Sequence, residues 1–404
     1  MKKTYAFLSA LAFTTAGYAA APAEAPGLKF TGFLQYRYEW IKNPEALAED
    51  TMTIDTNGDH TPDTGYVSDP STEGNAGIDG KSQTETLLWL NIDNQFDGHT
   101  RFHGAAVARS LGGRTTRTNL AIYEAYVAAK FGPAEVAVGR FLSDTGLGMI
   151  AGAPFMDGIH VSVGNELVKG QAYVTKFGNV HSAQEYPDGL NGHMTFASGD
   201  LKIMPIKGLT VSLSYFADVT SDGNANLYKA YKAGAEYRYV SNNIPWFTVM
   251  GEYGKNKADG AKNLNTPLNA YYQPIGEAKE PAAFIASAKV LGAHPFMPGT
   301  GGFQIQYRNA DAGFDAMGMC NPLLVNNPFN WMTPSAGGIM DNCKGIEISG
   351  EITLLPRTIL KAAYGMMKVK DMSALQCLST HNVGGSLRTD DTKNYFSAQI
   401  FYLF

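Results

Sequence analysis

The sequence predicts an all-β protein, a transmembrane antiparallel β-barrel, on three observations. Its segments alternate apolar and polar side chains with period two, the signature of a strand. Its connections alternate between short turns and long polar stretches, and the chain ends on an aromatic residue inside a final alternating segment. Composition removes the competing classes. With 44% hydrophobic residues among 404, there is enough apolar material to exclude disorder. Past the N-terminus no apolar run reaches the roughly 18–20 residues that a spanning helix needs.

The first residues set the compartment. Lys2 and Lys3 precede an apolar, acid-free stretch, and Gly17 and Ala19 supply small residues for cleavage, with Ala21 and Ala23 as a second option. Residues 1–19 therefore read as a secretory signal peptide, and 20–404 as one domain. Losing two lysines takes the formal net charge from -5 to -7. That sign disfavours nucleic acid as a partner.

Leu28 to Ile41 shows the strand pattern best. Leu28, Phe30, Leu34, Tyr36, Tyr38 and Trp40 share one face, while Lys29, Thr31, Gln35, Arg37 and Glu39 share the other with Phe33. Glu85 to Phe96 repeats it and turns at Gly98-His99 into Thr100 to Ser110. Asn119 to Phe131 sets Tyr123, Ala125, Val127 and Ala129 against Glu124, Tyr126 and Lys130. Further segments lie at 209–220, 228–240, 246–256, 283–292, 303–310, 344–355, 358–369 and 393–404, with weaker ones near 134–142, 158–164, 170–178 and 193–204. The total is about 16 strands, roughly 14 to 18, because each barrel strand signals weakly.

Turns such as 96–100, 131–134, 242–245 and 355–358 are short, whereas 42–83, 256–282, 311–343 and 371–392 are long and polar. A membrane barrel sorts its connections this way, with short periplasmic turns and long extracellular loops. Soluble propellers and jelly rolls do not. The terminal segment alternates Phe396, Ala398, Ile400, Tyr402 and Phe404 against Tyr395, Ser397, Gln399, Phe401 and Leu403. A closed sheet pairs its last strand with its first, so a strand running to the final residue suits closure.

In these pieces the chain resembles a Gram-negative outer-membrane porin. Tyr402-Leu403-Phe404 is similar to that family's C-terminal signal for insertion by the barrel-assembly machinery. Phe30 to Tyr38 resembles its first strand, and Phe131 to Glu135, Val138-Gly139-Arg140 and Asp157-Gly158-Ile159 resemble the region around its constriction loop. The acidic cluster of enterobacterial constriction loops is missing. The resemblance implies an outer-membrane location in contact with lipid, a water-filled channel for passive diffusion of small hydrophilic solutes and ions, and a homotrimer. A surface structural or adhesion barrel working through its extracellular loops is the alternative.

About 16 strands leave an interior too wide for side chains to fill, so the inward face carries function. By phase the inward cations are Arg37, Arg101, Arg109, Lys130, Lys232, Arg238 and Arg308. The inward acids are Glu39, Glu85, Asp93, Glu124, Glu236, Glu252, Glu347 and Glu351, and His103 lines the same wall. The two signs are similar in number, so strong ion selectivity does not follow from the count. Arg140 is in phase with Val136 and Val138, so it faces inward only if the strand bends at Gly139. The segment 143–157 is Gly-rich with an apolar run from Met149 to Met156, including Phe155. Folded into the lumen, it would constrict the pore and set Asp144 and Asp157 against arginines on the opposite wall. An ordinary surface loop is the alternative.

Asp55, Asn57, Asp59, Thr61 and Asp63 place oxygen ligands at alternate positions, a spacing that suits Ca²⁺. The stretch resembles the calcium loops of thrombospondin type 3 repeats. It is not an EF-hand, since His60 stands at position 6 and Tyr66 at position 12. A solvated acidic loop is the other reading. No other cofactor is expected. Among the three cysteines, one disulfide and one remaining thiol fit an oxidising compartment. Loop closure favours Cys320–Cys343 over pairings with Cys377. The eight histidines are scattered with no Ser/His/Asp grouping, so no enzyme is expected.

Overall fold

The computed structural model describes residues 28–41, 82–112, 118–143, 145–149, 156–177, 194–220, 226–241, 244–267, 274–315, 340–371, 373–374, 382–383, 386–387 and 394–404. Sixteen strands close into one antiparallel barrel. They are β1 (Leu28–Ile41), β2 (Ser82–Gln95), β3 (Thr100–Gly112), β4 (Thr118–Phe131), β5 (Ala134–Phe141), β6 (Met156–Gly164), β7 (Val168–Phe177) and β8 (Met194–Ile203). Then follow β9 (Leu209–Asp218), β10 (Lys229–Ser241), β11 (Ile244–Asn256), β12 (Ala282–Leu291), β13 (Gly301–Ala310), β14 (Cys343–Leu355), β15 (Thr358–Val369) and β16 (Tyr395–Leu403). A separate two-residue pair joins Asn382–Val383 to Ser386–Leu387.

Every strand pairs with its sequence neighbours, and β1 pairs with β16 to close the ring. Gln35 Nε2 donates to Gln399 Oε1 at 2.9 Å across that seam. Gly32 and Phe404 exchange backbone bonds at 3.2 and 3.1 Å, so the last residue belongs to the ladder. Glycine is needed there because a Cβ at position 32 would strike the Trp89 carbonyl oxygen and the Phe404 ring.

The two faces are inverted relative to a water-soluble sheet. Leu28, Phe30, Leu34, Tyr36 and Tyr38 are exposed while Gln35 and Arg37 are buried. Leu213 is likewise exposed between buried Ser212 and Ser214. Closure leaves no backbone edge, which is the condition for crossing a bilayer with strands. No helix among the described residues is long and apolar enough to do so.

The register shifts in three pairings: between Tyr239 and Val240 of β10, between Thr353 and Leu355 of β14, and within β3–β4. Between Ala105 and Ala106 of β3 the partner on β4 jumps from Glu124 to Ile122. This β-bulge turns Tyr123 inward, with its ring 5.5 Å from Trp89, and leaves Ile122 exposed. The period-two reading had placed Tyr123 on the lipid side; one extra residue reverses the phase beyond it.

The short connections share one rim. In the β2–β3 turn, Asp97 Oδ1 accepts from the His99 and Thr100 amides at 2.7 and 2.6 Å. Asn165 Oδ1 does the same between β6 and β7, accepting from Leu167 and Val168 at 2.9 and 3.0 Å. The opposite rim carries the long connections, including helix α1 (Asp259–Leu264) between β11 and β12.

Two predictions follow the seam and the turn. Gly32→Val should lower the midpoint of heat-modifiable unfolding on gels by the equivalent of about 1–3 kcal/mol, the usual cost of overpacking. At Asp97, the His99 and Thr100 amides hold the carboxyl below its ordinary pKa. A lowered carboxyl stabilises the fold above its unfolded pKa and loses that contribution as pH falls through the folded one. Amide exchange at His99 and Thr100 should therefore accelerate under acid relative to the same amides in Asp97→Asn, measured by NMR.

Candidate functional site in the barrel lumen

The inward face is lined by charges that meet across strands. Arg37 on β1 and Glu85 on β2 are register partners and form a buried ion pair. His103 lies between two carboxylates, Asp93 at 2.7 Å and Glu124 at 3.1 Å. Arg101 reaches Glu135 at 2.7 Å and the Tyr126 hydroxyl at 3.4 Å. Arg238 pairs with Glu236 at 3.0 Å on the same strand.

On β12–β16 the wall is denser. Arg308 Nη2 donates to the Tyr395 hydroxyl at 2.6 Å and lies 3.5 Å from Glu347, which Tyr395 also contacts. Glu351 takes Lys289 at 2.6 Å and the Ala293 amide at 3.0 Å. Lys130 is exposed and sits opposite Glu135 in register. Glu39 and Arg109 hold their places on β1 and β3, opposite Gln83 and Leu87.

A second feature comes from the chain after β5. Ser143, Thr145, Leu147 and Met149 are buried, and the segment reaches the wall at β9–β11. The Leu147 and Met149 amides donate to the two oxygens of Glu252 on β11 at 2.9 and 3.0 Å. Lys232 Nζ on β10 donates to the Thr145 carbonyl at 3.1 Å. Gly146 has φ +71, and a Cβ there would crowd Glu252, Ser214 and Lys232. Leu147 and Met149 join an inner apolar cluster with Phe196, Phe216, Met250 and Phe314.

The other end of the lumen carries a smaller apolar patch. Phe33, Leu87, Val107, Ile359 and Leu403 pack with Trp89, Tyr123 and Phe401. Phe33 and Trp89 stack at 5.9 Å and 11°.

Asp157 departs from the sequence expectation. β6 begins at Met156 rather than Gly158, so Asp157 is part of the wall. Met156 is buried, and the next side chain alternates to the outside with exposed Ile159, Val161 and Val163. There Asp157 binds Arg140 through two bonds, at 3.0 and 3.3 Å. Gly139 has φ +137, yet the β4–β5 register continues without a shift, so Arg140 keeps the outward phase of Val138. Neither residue faces the lumen.

Asp144 and Phe155 lie outside the described residues, as do Asp55, Asn57, Asp59, Thr61 and Asp63, Cys320 and Cys377. Cys343 opens β14 and is buried. Sequence reasoning did not single out Lys289, Lys361, Asp200, Lys202 or Tyr395. Lys289 follows Ile285 and Ser287 at spacing two, and Tyr395 precedes Ser397 and Gln399 in the same way. The phase that found the other lining residues could have found these.

Closed strands, lipid-facing apolar side chains and an enclosed polar wall together define a membrane channel fold. Among solved structures the chain is similar to OmpF of Salmonella typhi in complex with daunomycin, at 14% identity and a TM-score of 0.52, covering 94% of this chain and 98% of that one. It is also similar to OprB of Pseudomonas putida in a high-pH structure, at 9% identity and a TM-score of 0.53, covering 94% of each. The fold is that of the outer-membrane porins. No family model and no curated protein matches the sequence.

Glu252→Ala should release the inward segment. Two charge-assisted bonds disappear, each worth about 1.5–3 kcal/mol. Limited proteolysis within 143–149 should accelerate in the variant while the barrel keeps its heat-modifiable gel shift, and Glu252→Gln should fall between.

Proposed function

We propose that the chain is a passive diffusion channel through which small hydrophilic solutes and ions cross the outer membrane down their gradients. The observation that carries this reading is the enclosed polar wall with the segment at Ser143–Met149 held inside it by Glu252. Solutes are sorted by size at that inward segment and only weakly by charge. The weak charge preference rests on the pairing of wall cations with acids, as at Arg37–Glu85 and Lys289–Glu351. Such paired charges present little net field to a passing ion.

The channel consumes no cofactor and carries out no reaction. It is made with the signal peptide 1–19, is inserted through recognition of its C-terminal strand, and works as a homotrimer. A calcium ion at Asp55–Asp63 stiffens the first long loop.

Purified protein in planar bilayers should give discrete ohmic steps. In a potassium chloride gradient the reversal potential should stay near zero. A membrane that stays silent at every voltage, with folded protein inserted, would refute the channel.

A further inference from the structure

In the short-turn half of the lumen the inner wall carries unlike rows, one above the other. The upper row runs in register through Glu351 on β14, Lys361 on β15, Gln399 on β16, Arg37 on β1 and Glu85 on β2. Two residues nearer the short turns, Ile359, Phe401, Gln35 and Leu87 are partnered in the same way. Gln35 turns its amide up to Gln399 at 2.9 Å. The lowest row is Leu403, Phe33, Trp89 and Val107. Charged and amide groups thus stand over an apolar shelf.

Part of that shelf is open to the lumen. Phe33 is buried, whereas Trp89, Tyr123 and Phe401 around it are partly exposed. Phe33 stacks on Trp89 and meets Phe401 edge-on, both with ring centroids 5.9 Å apart. The indole N–H of Trp89 is taken by Asn91 Oδ1 at 2.7 Å, so what it offers the lumen is apolar ring. Apolar surface facing water is a cost that a solute with an apolar body removes.

The row above holds a surplus of positive charge. Among the described inward residues of β12–β15, Lys289, Arg308 and Lys361 meet two acids, Glu347 and Glu351. Glu347 takes Arg308 and Tyr395. Glu351 binds Lys289 at 2.6 Å and the Ala293 amide at 3.0 Å, and it is also the register partner of Lys361. One carboxylate therefore serves two lysines and a backbone amide. Lys361 is half-buried and stands diagonal to Phe401 across the β15–β16 pair. Diagonal neighbours of this kind lie roughly 7–8 Å apart. A benzoate-sized molecule bridges that gap, with its carboxylate at Lys361 and its ring on Phe401, while Phe33 and Trp89 extend the shelf for a longer body.

We propose that this part of the wall is a binding site for small organic anions, which place a carboxylate at Lys361 and an apolar body on Phe401, Phe33 and Trp89. The inference deepens the channel reading, on which it rests, by naming a class of solute that crosses in contact with the wall. One surplus lysine among paired charges favours such anions locally and leaves the passage of simple salts almost unselective.

Binding and conduction are measured separately on the full detergent-purified protein. Isothermal titration reads the site, with benzoate, acetate and benzyl alcohol as probes. Block of single-channel current by the same three probes in planar bilayers reads the passage. Benzoate should bind about tenfold more tightly than acetate, which lacks the apolar body, or benzyl alcohol, which lacks the charge. K361Q should weaken benzoate about tenfold, as the loss of one charge-assisted hydrogen bond does. F401L should weaken it about threefold and leave acetate unchanged. Lys169→Gln, at an inward position on β7, should alter none of the three. The heat-modifiable gel shift establishes that each variant is folded. Benzoate bound no more tightly than benzyl alcohol, or bound by K361Q as by wild type, would overturn the proposal even in a protein that conducts. A protein that binds benzoate in the expected pattern and never conducts would refute the channel and leave the site standing.

Discussion

Hydrocarbon offers no partner to a peptide N–H or C=O, and the rest of this structure follows from that constraint. A sheet can satisfy it only by closing, so β1 must find β16, and the chain must carry hydrogen-bonding backbone to Phe404. Closure then assigns one face of every strand to lipid and the other to the interior. The apolar rows from Leu28 to Tyr38 and the buried Gln35 and Arg37 beside them are two consequences of one geometry.

The interior is governed by a different balance. A charge turned inward is costly to bury alone, and breaking a buried pair strands its partner. The wall answers by placing cations and acids in register or in near contact, as with Arg37 and Glu85, or Arg308 with Glu347 and Tyr395. Glu252 serves a different purpose. Its carboxylate meets two amides of the inward segment, so a wall charge is satisfied by backbone and the segment is held by the wall. Apolar contacts from Leu147 and Met149 complete the attachment.

Most of the wall was legible because side-chain alternation in a strand is a local property. The segment expected at 28–41 matches β1, that at 358–369 matches β15, and most others differ by one to three residues at their ends. Even the weakly patterned stretch near 134–142 is a strand, β5. The errors have local physical causes. Tyr123 was misassigned because a β-bulge adds a residue that alternation does not see. Asp157 was misassigned because β6 starts two residues earlier than its apolar pattern suggests, which moves the carboxylate from a loop to the outer wall beside Arg140.

By itself the sequence determined the class of the fold, the approximate number of strands, the phase of nearly every strand and the asymmetry of the two rims. Period two and turn chemistry are written in neighbouring residues, so they need no knowledge of distant ones. Tertiary structure alone decided which wall the segment after β5 would reach, which acid each cation would meet, and that Lys361 would stand opposite Glu351. Those outcomes depend on the register between strands and on the curvature that brings β5 and β11 to one enclosed space, and neither is encoded in any single stretch of chain.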